Sequence, residues 1–316
     1  MTTGQPLPLE SLSTPDLYRL AAQLRAQIRP EPAELALREL LKREPAAPQV
    51  RFALAYLLLA RGAFEEAWPL YEARVDVPAN NIRRPKFSFP EWRGEKVGSL
   101  LLFPEQGLGD QIFFARYAAL LAGRGVAVTL VAPQPLARLF RGLEGVEVIV
   151  GGEGVAVPRC DAWAFVGSLP RWLGFHAPQS YLPTAPGGRG TGVATRGNPS
   201  YAKDAQRSLP PALAAELMAL PGALSLQVED TRGPDLQATA QIVAGLERVV
   251  TVDTAAAHLA GAMGKPAFVL VAHDPDWRWG WSGETTPWYP SIRLFRQTEP
   301  GDWRPVLDAV KAELAR

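Results

Sequence analysis

The sequence predicts an α/β fold built as two successive halves behind a short all-helical module. Three observations carry this. From about residue 98 onward, apolar runs of strand length alternate with helix-period segments. The alternation restarts after a Gly/Pro-rich stretch, TAPGGRGTG at 184–192. Between about residues 15 and 75 the period is helical throughout.

Composition bounds the function classes. The 316 residues suffice for two or three domains, and 47% hydrophobic with 21% charged residues is the balance of a folded chain. A formal net charge of +1 gives no field to gather nucleic acid or anionic lipid, so no nucleic-acid partner is expected. One cysteine, Cys160, excludes an internal disulfide framework and suits a reducing compartment. There is no run of 18 apolar residues and no basic-then-apolar leader pattern, so the expected location is cytoplasmic, with no transmembrane segment.

Taken in order, residues 1–16 read as a loose tail. LALRELLKREP carries leucines at helical spacing and stops at Pro45. RFALAYLLLARGAFEEAWPLYEARV reads as two helices broken at Gly62. Ala55, Leu58, Gly62, Phe64, Ala67 and Tyr71 fall near the small, glycine and aromatic positions of a tetratricopeptide unit. One and a half such units are too few for a long solenoid groove, which leaves two uses: a helical cap or a partner-binding surface. A Pro- and Arg-containing connector, 77–94, closes this first part. The expected domains are 1–92, 93–186 and 187–316.

In the first half SLLLF, VAVTLVAP and VEVIVG read as strands, with helices after EQGLG and in PLARLFRGL. In the second half the strands are GVAT, ALSLQ, RVVTVD and PAFVLVA. LPPALAAELMAL, QATAQIVAGL and TAAAHLAGAMG are the helices between them, and DWRPVLDAVKAELAR is a terminal amphipathic helix. Apolar strands in alternation with helices imply parallel sheets covered on both faces, with a ligand cleft between the halves.

In VVTVDTAAAHLAGAMGKPAFVLV a strand ends at Asp253 and a helix of small residues begins at once. Free N–H groups and the positive end of the dipole suit a pyrophosphate, and Ala255 to Ala257 leave that backbone open. Thr254 adds a hydroxyl. The plainer reading makes Asp253 and Thr254 helix caps and His258 a core histidine. EQGLGDQIFFARY lacks the third glycine of a dinucleotide fingerprint, since Ile112 stands there, so no nicotinamide cofactor is expected. Asp274-Pro275-Asp276 fits a D-x-D metal motif, but a helix-terminus phosphate site already exists and no metal is expected. Trp277, Trp279, Trp281, Trp288 and Tyr289, with Arg278, could stack on sugar or base; at least two of these tryptophans are expected to form a structural plug.

EQGLGDQIFFARY, GNPSYAKDAQRSLP, VDTAAAHLAGAMGKP and DWRWGWSGETTPWYPSIRLFRQ occur in an order that resembles bacterial tetratricopeptide-containing glycosyltransferases related to glycosyltransferase family 9, which includes the heptosyltransferases. The resemblance covers about residues 50–316. It implies a GT-B-like pair of Rossmann-like domains, the C-terminal one holding a nucleotide-sugar and the N-terminal one facing the acceptor. It implies an inverting transfer without a catalytic metal or other cofactor, to a protein or a glycan acceptor.

By the same resemblance Asp110 is the general base, with Gln106, Gly107 and Gly109 on the acceptor side. The implied donor contacts are Asn198, Arg207, Ser208, Gln227, Asp253, Thr254, Ala255, Ala256 and His258. Tyr201 stands where the related proteins usually carry His, and Thr195-Arg196 where they carry Trp-Ala. That departure keeps open a catalytically silent nucleotide-sugar-binding or scaffold protein, and a sugar-nucleotide epimerase of similar two-half architecture is a further alternative. At its helix start, Asp110 is expected to be held ionised by the dipole.

Overall fold

The computed structural model describes residues 9–185, 187–231 and 233–315, which fall into two compact units dividing after Pro85. The first unit is helical: α1 (Thr14–Ala26), α2 (Pro30–Arg43), α3 (Pro48–Ala60) and α4 (Phe64–Tyr71), each packed on the next. Ser13 caps α1 by accepting from the Asp16 N–H, so the helix starts earlier than the expected tail to residue 16 allows. A single capping hydroxyl outweighs the Pro/Ser/Thr composition there. Gly62 (φ +84) makes the left-handed turn between α3 and α4.

The second unit contains two parallel sheets. In the first, β1 (Ser99–Phe103), β2 (Ala127–Ala132), β3 (Val146–Val150) and β4 (Ala162–Phe165) lie in the order β3-β2-β1-β4. Its helices are α5 (Leu108–Gly123), α6 (Gln134–Phe140) and α7 (Leu169–Leu173). Leu100 is in register with Val128 on one side and Ala162 on the other, so β1 is the apolar centre. β4 is four residues long among prolines and glycines, too short for its period to register in the sequence.

The second sheet has β5 (Thr191–Ala194), β6 (Ala223–Ser225), β7 (Arg248–Val252), β8 (Ala267–Val271) and β9 (Ile292–Arg296) in the order β6-β5-β7-β8-β9. Its helices are α8 (Asp204–Arg207), α9 (Pro211–Met218), α10 (Val228–Thr231), α11 (Leu236–Ala244), α12 (Ala255–Ala262) and α13 (Arg304–Leu314). Leu213 and Leu217 of α9 and Val306, Leu307 and Val310 of α13 share one core with Val193 and Val250 of the sheet.

The Gly/Pro stretch between the sheets is fastened to the second one. Lys265 donates its Nζ to the carbonyls of Gly187 (2.9 Å), Leu246 (2.8 Å) and Ala244 (3.1 Å). Gly188 (φ +131) has room for no side chain against the Leu246 carbonyl. Pro186, in the same stretch, lies outside the described residues. Among the described residues, no helix is long and apolar enough to cross a membrane.

Candidate active site at the two strand-order reversals

Each sheet reverses its strand order once. β1 leads to β2 on one side while β4 pairs on the other; β5 leads to β6 on one side while β7 pairs on the other. In open parallel sheets the crevice beyond the strand ends at such a reversal is where ligands enter. The loop 104–107 and α5 leave β1, the loop 195–203 leaves β5, and Asp253-Thr254 joins β7 to α12. All the expected site residues except Gln227, which follows β6, therefore sit at these two points.

The two crevices meet through a glycine. A Cβ placed on Gly109 would lie 2.8 Å from His258 Cδ2 and 3.6 Å from Ala255 Cα, so the first turn of α5 abuts the first turn of α12. Gly109→Ala is therefore expected to destabilise the fold by about 1–3 kcal/mol through overpacking, read as a lower urea midpoint. The gain in helix propensity, about 1 kcal/mol, opposes it without cancelling it. A variant as stable as the parent would mean that the His258 ring is free to move.

Around the start of α12, Thr254 is extended and its hydroxyl accepts from the Ala256 N–H at 3.3 Å. Thr251, buried beneath, approaches the same hydroxyl at 3.2 Å. Arg207 donates Nη1 to the Asp253 carbonyl (2.8 Å) and Nε to Asp204 Oδ1 (2.9 Å), with Tyr201 over its guanidinium at 4.6 Å. A Cβ at Gly197 would overlap Asp204 Oδ1 and Arg207 Nη2, so a side chain there would displace this pair.

Ser208 supports the same bend: its Oγ donates to Asp204 Oδ2 (3.0 Å) and accepts from the Gly197 N–H (3.1 Å). With its amide oriented so that both atoms pair, Gln227 accepts from the N–H groups of Thr195 (2.8 Å) and Arg196 (3.1 Å). Asn198 accepts from the Ser200 N–H (3.0 Å) and shapes an exposed turn. The structure thus gathers Arg207, Asp253, Thr254, Ala255 and Ala256 at one point. Ser208 and Gln227 hold the loop beside it.

His258 is placed differently. Its ring is buried, stacks on Trp279 (5.4 Å, 20°) and meets Tyr289 Oη at Nδ1 (3.1 Å), while its other edge faces Gly109. Burial, then Arg278, Arg116 and Arg207, hold it well below the ordinary histidine range, so it is neutral.

Asp110 occupies the third position of α5. Its Oδ2 accepts from the Gly107 N–H (3.0 Å) and its Oδ1 from Arg278 Nη2 (2.6 Å), while 27% of the side chain remains open. Gln106 (φ +61) and Gly107 form the exposed approach to it. Its carboxyl lies above the usual range, against the expectation from the helix dipole. Burial is the largest cause and Asp276 adds to it, together outweighing Arg278 and the Gly107 N–H. Asp253 is raised as well, by burial first and Asp276 second.

Asp274 and Asp276 do not act as a pair. Asp274 joins Lys203 (2.5 Å), whereas Asp276 joins Arg278 (2.9 Å). Among the described residues, no group of three His, Cys, Asp or Glu side chains converges as a metal site. Trp277, Trp279, Trp288 and Tyr289 are buried, as a plug requires. Phe113 lies between two guanidiniums, Arg278 at 4.6 Å and Arg116 at 4.3 Å. Arg116 is fully buried and donates to the carbonyls of Phe113 (2.8 Å) and Trp288 (3.0 Å). The roles of Arg116, Asp204 and Asp276 were not legible in sequence, because their partners lie in other segments or in a bend that only the fold creates.

No family model matches the chain. It is 27% identical to Protein FlbA of Caulobacter vibrioides over an alignment covering 89% of this chain and 58% of that protein, so it spans little more than half the relative's length. Among solved structures it resembles the E. coli heptosyltransferase WaaC with ADP (TM-score 0.47, 16% identity) and E. coli ADP-heptose lps heptosyltransferase II (TM-score 0.44, 14% identity). Each of these covers 69% of this chain, and 99% and 98% of the respective neighbour.

Proposed function

We propose that the chain is an inverting, metal-independent glycosyltransferase that moves a sugar from a nucleotide-sugar to a hydroxyl acceptor. The observation that carries this reading is the meeting of two reversal points. One presents a carboxylate, Asp110, and the other a helix start of small residues flanked by Arg207. In the reaction the acceptor hydroxyl attacks the anomeric carbon, the bond to the diphosphate oxygen breaks, and Asp110 takes the hydroxyl proton. A carboxyl raised above its usual range is a better match to that task near neutral pH. The charge that develops on the leaving diphosphate is met by Arg207, the N–H groups of Ala255 and Ala256, and the α12 dipole. These groups supply what a cation would otherwise supply.

Gln106, Gly107 and Gly109 form the acceptor side. Asn198, Ser208 and Gln227 shape the donor loop, and His258 forms the wall behind it. The helical first unit, read as tetratricopeptide-like, favours a polypeptide acceptor over a glycan, because such helical pairs commonly hold peptide segments.

Thermal unfolding across a panel of nucleotide-sugars tests this. A matching donor at a hundredfold excess over its Kd stabilises the folded chain by about 2.7 kcal/mol. The effect is expected to be larger at pH 6 than at pH 8. Asp253 is already raised in the free protein, a bound diphosphate raises it further, and binding therefore takes up a proton. A nucleotide-sugar diphosphate has no titration of its own in that range. No stabilisation by any donor would contradict the reading.

A further inference from the structure

Arg278 lies on the segment that follows β8, yet it reaches a carboxylate 168 residues earlier in the chain. Its Nη1 donates to Asp276 Oδ1 (2.9 Å) and its Nη2 to Asp110 Oδ1 (2.6 Å). The side chain is 3% exposed, and its guanidinium lies on the faces of Trp277 (4.3 Å) and Phe113 (4.6 Å). Asp276 fixes the other end of the same turn, accepting from the Arg278 N–H at 3.0 Å. A planar fork clamped between two rings and two carboxylates has one orientation, and a lysine could not reproduce both bonds.

We propose that Arg278 is the positioning residue of this site: its forked guanidinium, carried by the C-terminal half, holds Asp110 of the N-terminal half aimed across the cleft. Asp110 then has one oxygen tied to its own helix by Gly107 and the other tied to the opposite half. The part of its surface left open is what an acceptor hydroxyl meets.

The charged and titratable groups around Asp110 are Arg278 and Asp276 from the segment after β8, His258 from α12 and Tyr201 from the loop after β5. His258 is neutral, so the balance at Asp110 lies between Arg278, which favours the carboxylate, and burial with Asp276, which oppose it. Removing the guanidinium leaves the opposing effects in place.

The catalytic half of this inference rests on the transferase reading; the geometric half is measured without turnover. Carbon-13 carboxyl NMR follows the titration of Asp110, assigned by the loss of its signal in Asp110→Asn. In Arg278→Met the midpoint is expected to rise by about one to three pH units, and Arg278→Lys to recover part of the shift. An unchanged midpoint overturns the proposal, whatever happens to the unfolding midpoint. If Arg278→Met does not fold, Arg278→Lys decides: it keeps the charge but not the fork, so the Asp110 midpoint is expected to rise by part of that amount, and an unchanged midpoint overturns the proposal. With an active donor, the acid limb of kcat should follow the Asp110 midpoint while the donor KM stays within a few-fold. A shifted midpoint in a protein that turns over no nucleotide-sugar supports the clamp and counts against the transferase reading alone.

Discussion

Replacing Asp110 by Asn is expected to lower the rate of sugar transfer by about 10²- to 10⁴-fold, the usual contribution of a general base, while the donor Kd changes only a few-fold. Asn preserves the volume and can still accept from the Gly107 N–H, so the cap of α5 survives. Arg278 keeps Asp276 as a charged partner, which limits the cost of an uncompensated buried cation. What is lost is the group that removes the acceptor proton. Single-turnover kinetics with calorimetric donor binding separates the two effects. A variant with the parent's turnover would take the base role away from Asp110.

The second large effect is at the leaving group. Arg207→Met is expected to weaken nucleoside diphosphate binding about 10- to 150-fold, from the loss of one charged hydrogen bond worth roughly 1.5–3 kcal/mol. Arg207 also fastens the loop after β5 to the Asp253 carbonyl, so some of that loss reflects a looser donor loop. Its side chain is 19% exposed, and the unliganded unfolding midpoint should fall far less than the ligand-dependent shift does. Arg207→Lys keeps the charge but not the fork, and should lie between the two. Equal diphosphate affinity in Arg207→Met and the parent would remove Arg207 from the donor site.

The features legible in the sequence were those whose signals are local. The Asp253-Thr254-Ala255 junction is a strand end followed by a helix start, and both signals lie within a few residues of one another. Gly109 was legible as the start of a helix, though not that its neighbour would be His258 from the opposite half. The strands of near-continuous Leu and Val, such as SLLLF and AFVLV, announced parallel sheets.

β9 was missed because its alternating IRLFR follows a tryptophan-rich run that dominates that part of the sequence. The direction of the Asp110 shift was also misjudged. A helix dipole can be inferred from a helix start, whereas burial and the nearness of Asp276, 166 positions away, exist only in the folded chain. Arg278 illustrates the same limit. In the sequence it is an arginine among tryptophans, and only the fold shows it spanning two carboxylates.

The most direct test of glycosyl transfer by this site uses water in place of the unknown acceptor. The chelator-treated protein is incubated with the nucleotide-sugar that stabilises it best, and the sugar released is read by NMR before it mutarotates. The account predicts release of nucleoside diphosphate with the chelator present, a sugar of inverted anomeric configuration, and loss of both in Asp110→Asn. A sugar of retained configuration, or no release from any donor that binds, would contradict it.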